Sequence, residues 1–341
     1  MQRRIRSARA ALGPPLLNTR AVLVVDLPNW FWLALGGAVG LCIGSFLNVV
    51  IYRLPRGMSL SHPPSTCPGC GARIPAYLNV PLLGYALLGG RARCCKMRMS
   101  PRYPLVELLG GLLGAAVVLT RVLPDPSLPL HIGFAHFALY LALCAGLLAA
   151  AAIDLEHMIL PDSITLGGAV MGVLSAGIRP EVTYLSSTLA AAAGFLVVWF
   201  PFIWLYEKWR GYPGMGLGDA KLLALAGAWF GGSGVVFVLF AGATQGTLFA
   251  LATLLSGRQF QEPASVQDER RQFLAELEAA EGEERVELER LLELDPVLRE
   301  PDGTTLGARI PFGPFLALAL VELALFYEPI SGAAEAWLLL P

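Results

Sequence analysis

The sequence predicts an all-α, polytopic membrane protein with about eight transmembrane helices and a cytoplasmic loop domain that contains cysteines. Three observations predict this class. Of 341 residues, 55% are hydrophobic and only 15% are charged, where a soluble domain carries roughly 25% charge. The mean hydropathy is +0.59, and several apolar runs approach the ~20 residues that cross a bilayer as a helix. Those runs do not alternate, which excludes a membrane barrel and leaves helices.

The elements follow in order. Residues 1–29 form a basic leader with Arg3, Arg4, Arg6, Arg9 and Arg20. Its apolar run starts too late for a secretory signal peptide. A first transmembrane helix is expected over 30–52. Ser45 and Asn48 share one of its faces and read either as bonding a neighbouring helix or as contacting a ligand directly. Residues 53–103 form a polar domain. Its first fifty residues, 53–102, carry eight bases and no acid, which places it in the cytoplasm by the positive-inside rule. Further helices are expected over 105–123, 134–153, 162–177, 185–206, 220–230 and 235–255. Glu107 is read into the first turn of the second, where the helix dipole favours an acid. His131 and His136 are read as interfacial residues. Residues 257–309 form an acidic insert with 14 of the 26 acids and 7 of the 25 bases, a net charge of −7. Within it, 266–300 reads as a helical hairpin broken near Gly282, a solvated insertion or a surface that attracts a basic peptide. A last helix over 312–327 and an apolar tail complete the chain.

Three constellations carry chemistry. Gly214-Met215-Gly216-Leu217-Gly218-Asp219-Ala220-Lys221 sets bare backbone beside one carboxyl group at the mouth of a helix. Asp219 reads either as a functional acid or as the cap of that helix. Asp154-Leu155-Glu156-His157-Met158-Ile159-Leu160-Pro161-Asp162 crowds four titratable groups at a helix end. Asp162, with Ser163, is a natural N-cap, whereas Asp154 follows an unbroken apolar run and lacks such a role. Counting crossings brings Asp154 and Asp219 to the same face of the membrane. Close carboxylates cannot both ionise cheaply, so such a pair shares one proton. One member can then act on water as the other donates to a carbonyl. The third constellation is Cys67-Pro68-Gly69-Cys70 with Cys94-Cys95. The first pair suits tetrahedral zinc. The second is adjacent, and its two side chains are expected to point apart, which leaves zinc and a reduced thiol cluster both open.

In this order the pieces resemble the type IV prepilin peptidases, bacterial leader peptidases of the GxGD aspartic class. The resemblance runs over most of 30–255 and resumes at Arg309-Ile310-Pro311-Phe312-Gly313-Pro314-Phe315-Leu316. It implies that Asp154 and Asp219 are the catalytic pair of an aspartic endopeptidase whose core spans 104–256. It implies cleavage of prepilin or pseudopilin leaders just after a glycine, at the cytoplasmic face of the inner membrane. It also implies N-methylation of the new N terminus from S-adenosylmethionine, an activity tied to the loop domain. Gly216, Gly218 and Lys221 are the candidate substrate-binding residues, and Cys67, Cys70, Cys95 and Cys94 the candidate zinc ligands. The family's second CxxC pair would need a cysteine at Ala92. The expected partners are pilin precursors and the lipid bilayer, with no nucleic acid. A general intramembrane protease, or a transporter or scaffold using the acids as ion sites, are the competing readings.

Overall fold

In a computed structural model the chain is described at residues 22–67, 69–256, 263–294, 298 and 310–338. The leader before residue 22 lies outside these, as does much of the second half of the insert. Helix α1 spans Asn29–Arg53. In the loop domain, a short helix α2 covers Leu83–Leu87. Helix α3 spans Arg102–Val117 and continues as a wide turn over Val118–Val122. Then follow α4, Leu130–His157, and α5, Asp162–Leu174. Helix α6, Tyr184–Val198, widens over Trp199–Leu205 into α7, Tyr206–Arg210. Helix α8 runs over Leu217–Leu255. The insert supplies α9, Ala264–Ala279, and α10, Glu283–Leu294, and α11 closes the chain at Gly313–Leu338.

Among the described residues, six helical stretches are long and apolar enough to cross a membrane, and a seventh, Asp162–Ile178, is apolar but shorter. Two of the expected helices, 220–230 and 235–255, lie end to end in α8, and the chain breaks between them where the sequence reading places the boundary. The only non-helical residue of α8 is Gly231, at φ 69° and ψ −164°. That conformation is open to glycine and strained for any residue with a Cβ. The break frees carbonyls, and a buried base takes them. The Arg179 guanidinium donates to the carbonyls of Trp229, Gly172 (2.5 Å) and Ala228 (3.2 Å). The Ser187 hydroxyl adds a bond to Ala228 at 2.6 Å. A polar group buried without partners costs several kcal/mol in such surroundings, so these bonds explain why a charged side chain is tolerated there.

Glycines make the tightest helix pair. A methyl group on Gly36 would stand 2.7 Å from the Gly114 carbonyl, and one on Gly110 would stand 2.5 Å from that of Gly40. The repeat Gly36, Gly40, Gly44 therefore lets α1 and α3 meet backbone to backbone, as small-residue seams do in membranes. Asn48 strengthens this seam by donating to the Tyr103 carbonyl at 3.1 Å, the first of the two roles its place on α1 allows. Helix α8 is the central element. Helices α5, α6 and α11 all pack on it, and α11 packs on α4 as well. Their meeting ground is a core of Tyr140, Leu147, Leu222, Trp229, Phe230, Leu316 and Leu320. Outside the core, Leu185, Leu189 and Leu196 of α6 are exposed, the side-chain chemistry expected of a face turned to lipid.

Several local readings change. Helix α3 begins three residues earlier than expected, so Glu107 sits in its second turn and not at its mouth. Asp162 is the first residue of α5 and makes no capping bond, since Pro161 takes the cap position. Asp219 lies in the first turn of α8, and its carboxylate accepts from the amide of Gly216, the cap residue, so it caps this helix from within. His136 bonds the Ile178 carbonyl at 2.8 Å, in keeping with a structural role. The insert is a helical pair turning at Gly282 (φ 65°), and α9 rests on α4 with Val266 and Arg270 buried.

Candidate active site and cysteine centre

Helix α4 ends in a left-handed residue, Met158 at φ 53°, whose N–H bonds the Asp154 carbonyl at 2.9 Å. This turn folds 158–161 back over the helix end. It places the Leu160 side chain between two glycines: added methyl groups on Gly218 and Gly313 would each meet it, at 2.9 and 3.0 Å. Gly313, the first residue of α11, also abuts Asp154, whose Oδ2 lies 2.5 Å from where its Cβ would stand. The Gly313 amide faces the same carboxylate. Asp219, one residue beyond Gly218, sits near enough to Asp154 for the two charges to interact. Both aspartates are buried, at 5% and 8% exposure. Residues 65 positions apart in sequence thus share one small space, floored by Leu160 and bounded by Gly313.

Charge pairing separates these two acids from their neighbours. Glu156 pairs with Arg102 at the start of α3. Asp162 pairs with Lys221 at 2.5 Å. Among the described residues, no base pairs with Asp154 or Asp219. An unpaired acid inside a membrane helix is costly and marks a functional site more often than a structural one. Lys221 therefore serves Asp162 directly, and the structure does not bring it onto the aspartate pair by any bond. Gly216 and Gly218 also differ. A methyl group on Gly216 would meet Asp219 Oδ2 at 3.5 Å and the Gly218 nitrogen at 4.0 Å, both ordinary contacts, so there is space beside it. Gly218 is filled by Leu160. Of the two, only Gly216 leaves room for a substrate backbone.

The cysteine loop contains two hairpins of one design. In the first, Thr66 bridges to Arg73, the Cys67 amide bonds the Ala72 carbonyl, and Gly71 (φ 70°) bonds back to Cys67. In the second, Arg91 bridges to Arg98, the Ala92 amide bonds the Met97 carbonyl, and Lys96 (φ 60°) bonds back to Ala92. Cys95 thus matches Cys70, and Ala92 matches Cys67. Cys94, two residues after Ala92, provides the fourth sulfur. The four Sγ atoms lie within 4.8 Å of one another, with Cys67–Cys95 at 3.6 Å and Cys70–Cys94 at 3.2 Å. Sulfurs around a tetrahedral zinc are about 3.8 Å apart for Zn–S bonds of ~2.3 Å, so this donor set fits the ion. The expectation that the adjacent pair points apart is corrected: the turn closed by Lys96 aims both sulfurs at Cys67 and Cys70. A backbone hydrogen bond from Gly69, then one from Cys94, pull the Cys67 thiol down to about 7. Hydrogen bonds to Cys70 and Cys67 push Cys94 up to about 12. Lowering the Cys67 thiol favours the thiolate, the form that binds metal.

Sequence reasoning did not single out Gly313, Leu160 or Arg102. Gly313 lies in the stretch Ile310 to Leu316, but nothing in that stretch signals contact with Asp154.

The fold and this site define a class: a polytopic helical membrane protein with two unpaired, buried aspartates from separate helices at one membrane face. Comparison with known proteins gives the particular family. A model described as the bacterial peptidase A24 N-terminal domain matches residues 38–121, and one described as the type IV leader peptidase family matches residues 141–251. A prepilin leader peptidase/N-methyltransferase of Burkholderia pseudomallei (strain 1026b) is 36% identical over 263 residues, covering 70% of this chain and 82% of its own. Proteins of the same name from Klebsiella pneumoniae and Dichelobacter nodosus are 41% and 36% identical, covering 56% and 63% of this chain and 82% and 81% of theirs. The chain belongs to the type IV leader peptidase family. No solved structure matches it.

Proposed function

We propose that this chain removes the leader peptide of type IV prepilins or pseudopilins after a glycine and N-methylates the residue it exposes. The observation that carries the peptidase reading is the convergence of Asp154 and Asp219, both buried and neither paired with a base. With one proton shared between them, the ionised carboxylate takes a proton from water as the water oxygen bonds to the scissile carbonyl carbon. The protonated carboxyl donates to the carbonyl oxygen. Collapse of the tetrahedral diol then breaks the C–N bond, and the leaving amine receives a proton from the dyad. The open space beside Gly216 gives an extended substrate backbone access to Asp219. The basic loop supports an inner-membrane orientation with this face in the cytoplasm.

Cys67, Cys70, Cys94 and Cys95 would hold a zinc ion that locks the two hairpins together. S-adenosylmethionine supplies a methyl group when bound. Its sulfonium and ammonium are both cationic, however, and 53–102 holds no acid to face them. Its carboxylate would find bases there, but the loop by itself offers no counter-charge to its cationic centres, so it does not fit this donor and no step is derived through it.

Mass spectrometry of a pilin precursor incubated with the purified chain and S-adenosylmethionine tests the reading. The expected product lacks the leader and gains the mass of one methyl group. A precursor that stays intact under conditions where the protein remains folded would rule the peptidase out.

A further inference from the structure

The loop domain holds a feature that neither peptide cleavage nor the cysteine centre uses. Leu82 stands at φ 60° and ψ −44°, a strained backbone for a leucine. Its N–H donates to Glu107 Oε2 at 2.7 Å. Glu107 is five residues beyond Arg102, about 7.5 Å along α3 at ~1.5 Å per residue. Helix α2 is therefore fastened beside the second turn of a membrane helix, level with the exposed Leu105 and Leu108. Its own leucines are bare: Leu83 is 60% exposed and Leu87 80%, with Val80 at 45% just before them. Leu83 and Leu87 stand four apart and so share one face. A five-residue helix has little stability of its own in water.

Basic groups follow at once. Arg91 and Arg98 face each other across the second hairpin's bridge and line a groove with Tyr85 and Gly90. Among the described residues, no ion pair is formed by Arg73, Arg91, Lys96 or Arg98. An apolar stripe at membrane depth, flanked by unpaired cations in a segment without acids, is the makeup of an interfacial anchor.

We propose that residues 80–98 dock on anionic phospholipid, with Val80, Leu83 and Leu87 among the acyl chains and Arg91 and Arg98 on headgroup phosphates. The anchor holds the cysteine hairpins against the membrane surface. It rests on the membrane architecture alone, so it stands or falls apart from the peptidase reading.

Hydrogen exchange of the full chain in nanodiscs tests it, comparing phosphatidylcholine with phosphatidylcholine containing phosphatidylglycerol. The amides to follow are those of Ala86 and Leu88, which bond the carbonyls of Leu82 and Gly84. Their exchange is expected to slow in the anionic discs by roughly fivefold for each guanidinium engaged, and added salt should remove the difference. Arg91→Gln with Arg98→Gln should abolish the lipid dependence. Leu87→Glu should speed exchange in both lipids. Unchanged α3 amides, from Val106 to Leu113, would show that these variants keep their fold. Equal exchange in the two lipids would overturn the proposal. So would protection that arises only on adding a pilin precursor, which would assign this face to the substrate.

Discussion

Replacing Gly313 by alanine is expected to slow cleavage about a hundredfold while the protein still folds. The new methyl group would stand 2.5 Å from Asp154 Oδ2, where ordinary contact begins at 3.4 Å. The carboxylate must therefore retreat by about 0.9 Å, the difference of those distances. Retreat of the methyl group is blocked on another side by Leu160 Cδ1 at 3.0 Å. A displacement of about 1 Å in a reacting group costs on the order of a hundredfold in rate, so kcat should fall by about that factor. Overpacking of this kind costs roughly 1–3 kcal/mol, within what a folded domain of about 5–15 kcal/mol tolerates. Two measurements on detergent-purified protein check this. One is the turnover of a peptide spanning a prepilin leader, and the other is the melting temperature from tryptophan fluorescence. Unaltered turnover would refute the placement of Gly313 against Asp154. A lost activity that tracks a lost melting temperature would refute the claim that the effect is local to the site.

Further outcomes follow from the same geometry. Gly231→Ala should destabilise the protein by about 1–3 kcal/mol, since its backbone conformation is nearly closed to other residues; chemical denaturation monitored by circular dichroism reads it. Cys94→Ser should remove zinc, measured as metal per chain by mass spectrometry, and adding Ala92→Cys should restore it, because Ala92 occupies the position equivalent to Cys67. Zinc affinity should also fall as pH is lowered, because protons compete with the metal for the four sulfurs. Metal content per chain measured across a pH series reads this, and a content independent of pH would contradict thiolate ligation. Prepilin cleavage by the Cys94→Ser protein should persist, since the dyad draws no residue from the hairpins.

The helical membrane architecture was legible because composition and run length settle it. The aspartate pair was legible because two acids at matching crossings have no structural duty that explains both. What escaped was whatever depends on the shape of turns. The adjacent cysteines look divergent on an extended chain, yet a left-handed Lys96 turns both inward. Glu107 reads as a dipole partner, yet it spends its carboxylate on the amide of Leu82. Gly313 contributes by lacking a side chain, and a bare position carries no sign of what lies against it. The break at Gly231 falls between the two apolar runs 220–230 and 235–255, where the sequence reading places it, but that the second helix follows the first end to end is a matter of one glycine's backbone angles. Charge pairing was also invisible in one dimension: Arg102 and Lys221 neutralise Glu156 and Asp162, and only that subtraction leaves Asp154 and Asp219 alone.

The central claim is that these two carboxyl groups act as one unit. Single-turnover cleavage of a prepilin by Asp154→Asn, Asp219→Asn and the double variant measures it most directly. Groups that share one proton fail together, so each single variant should lose as much rate as the double. Losses that multiply in the double variant, or cleavage that persists in either single one, would contradict the dyad.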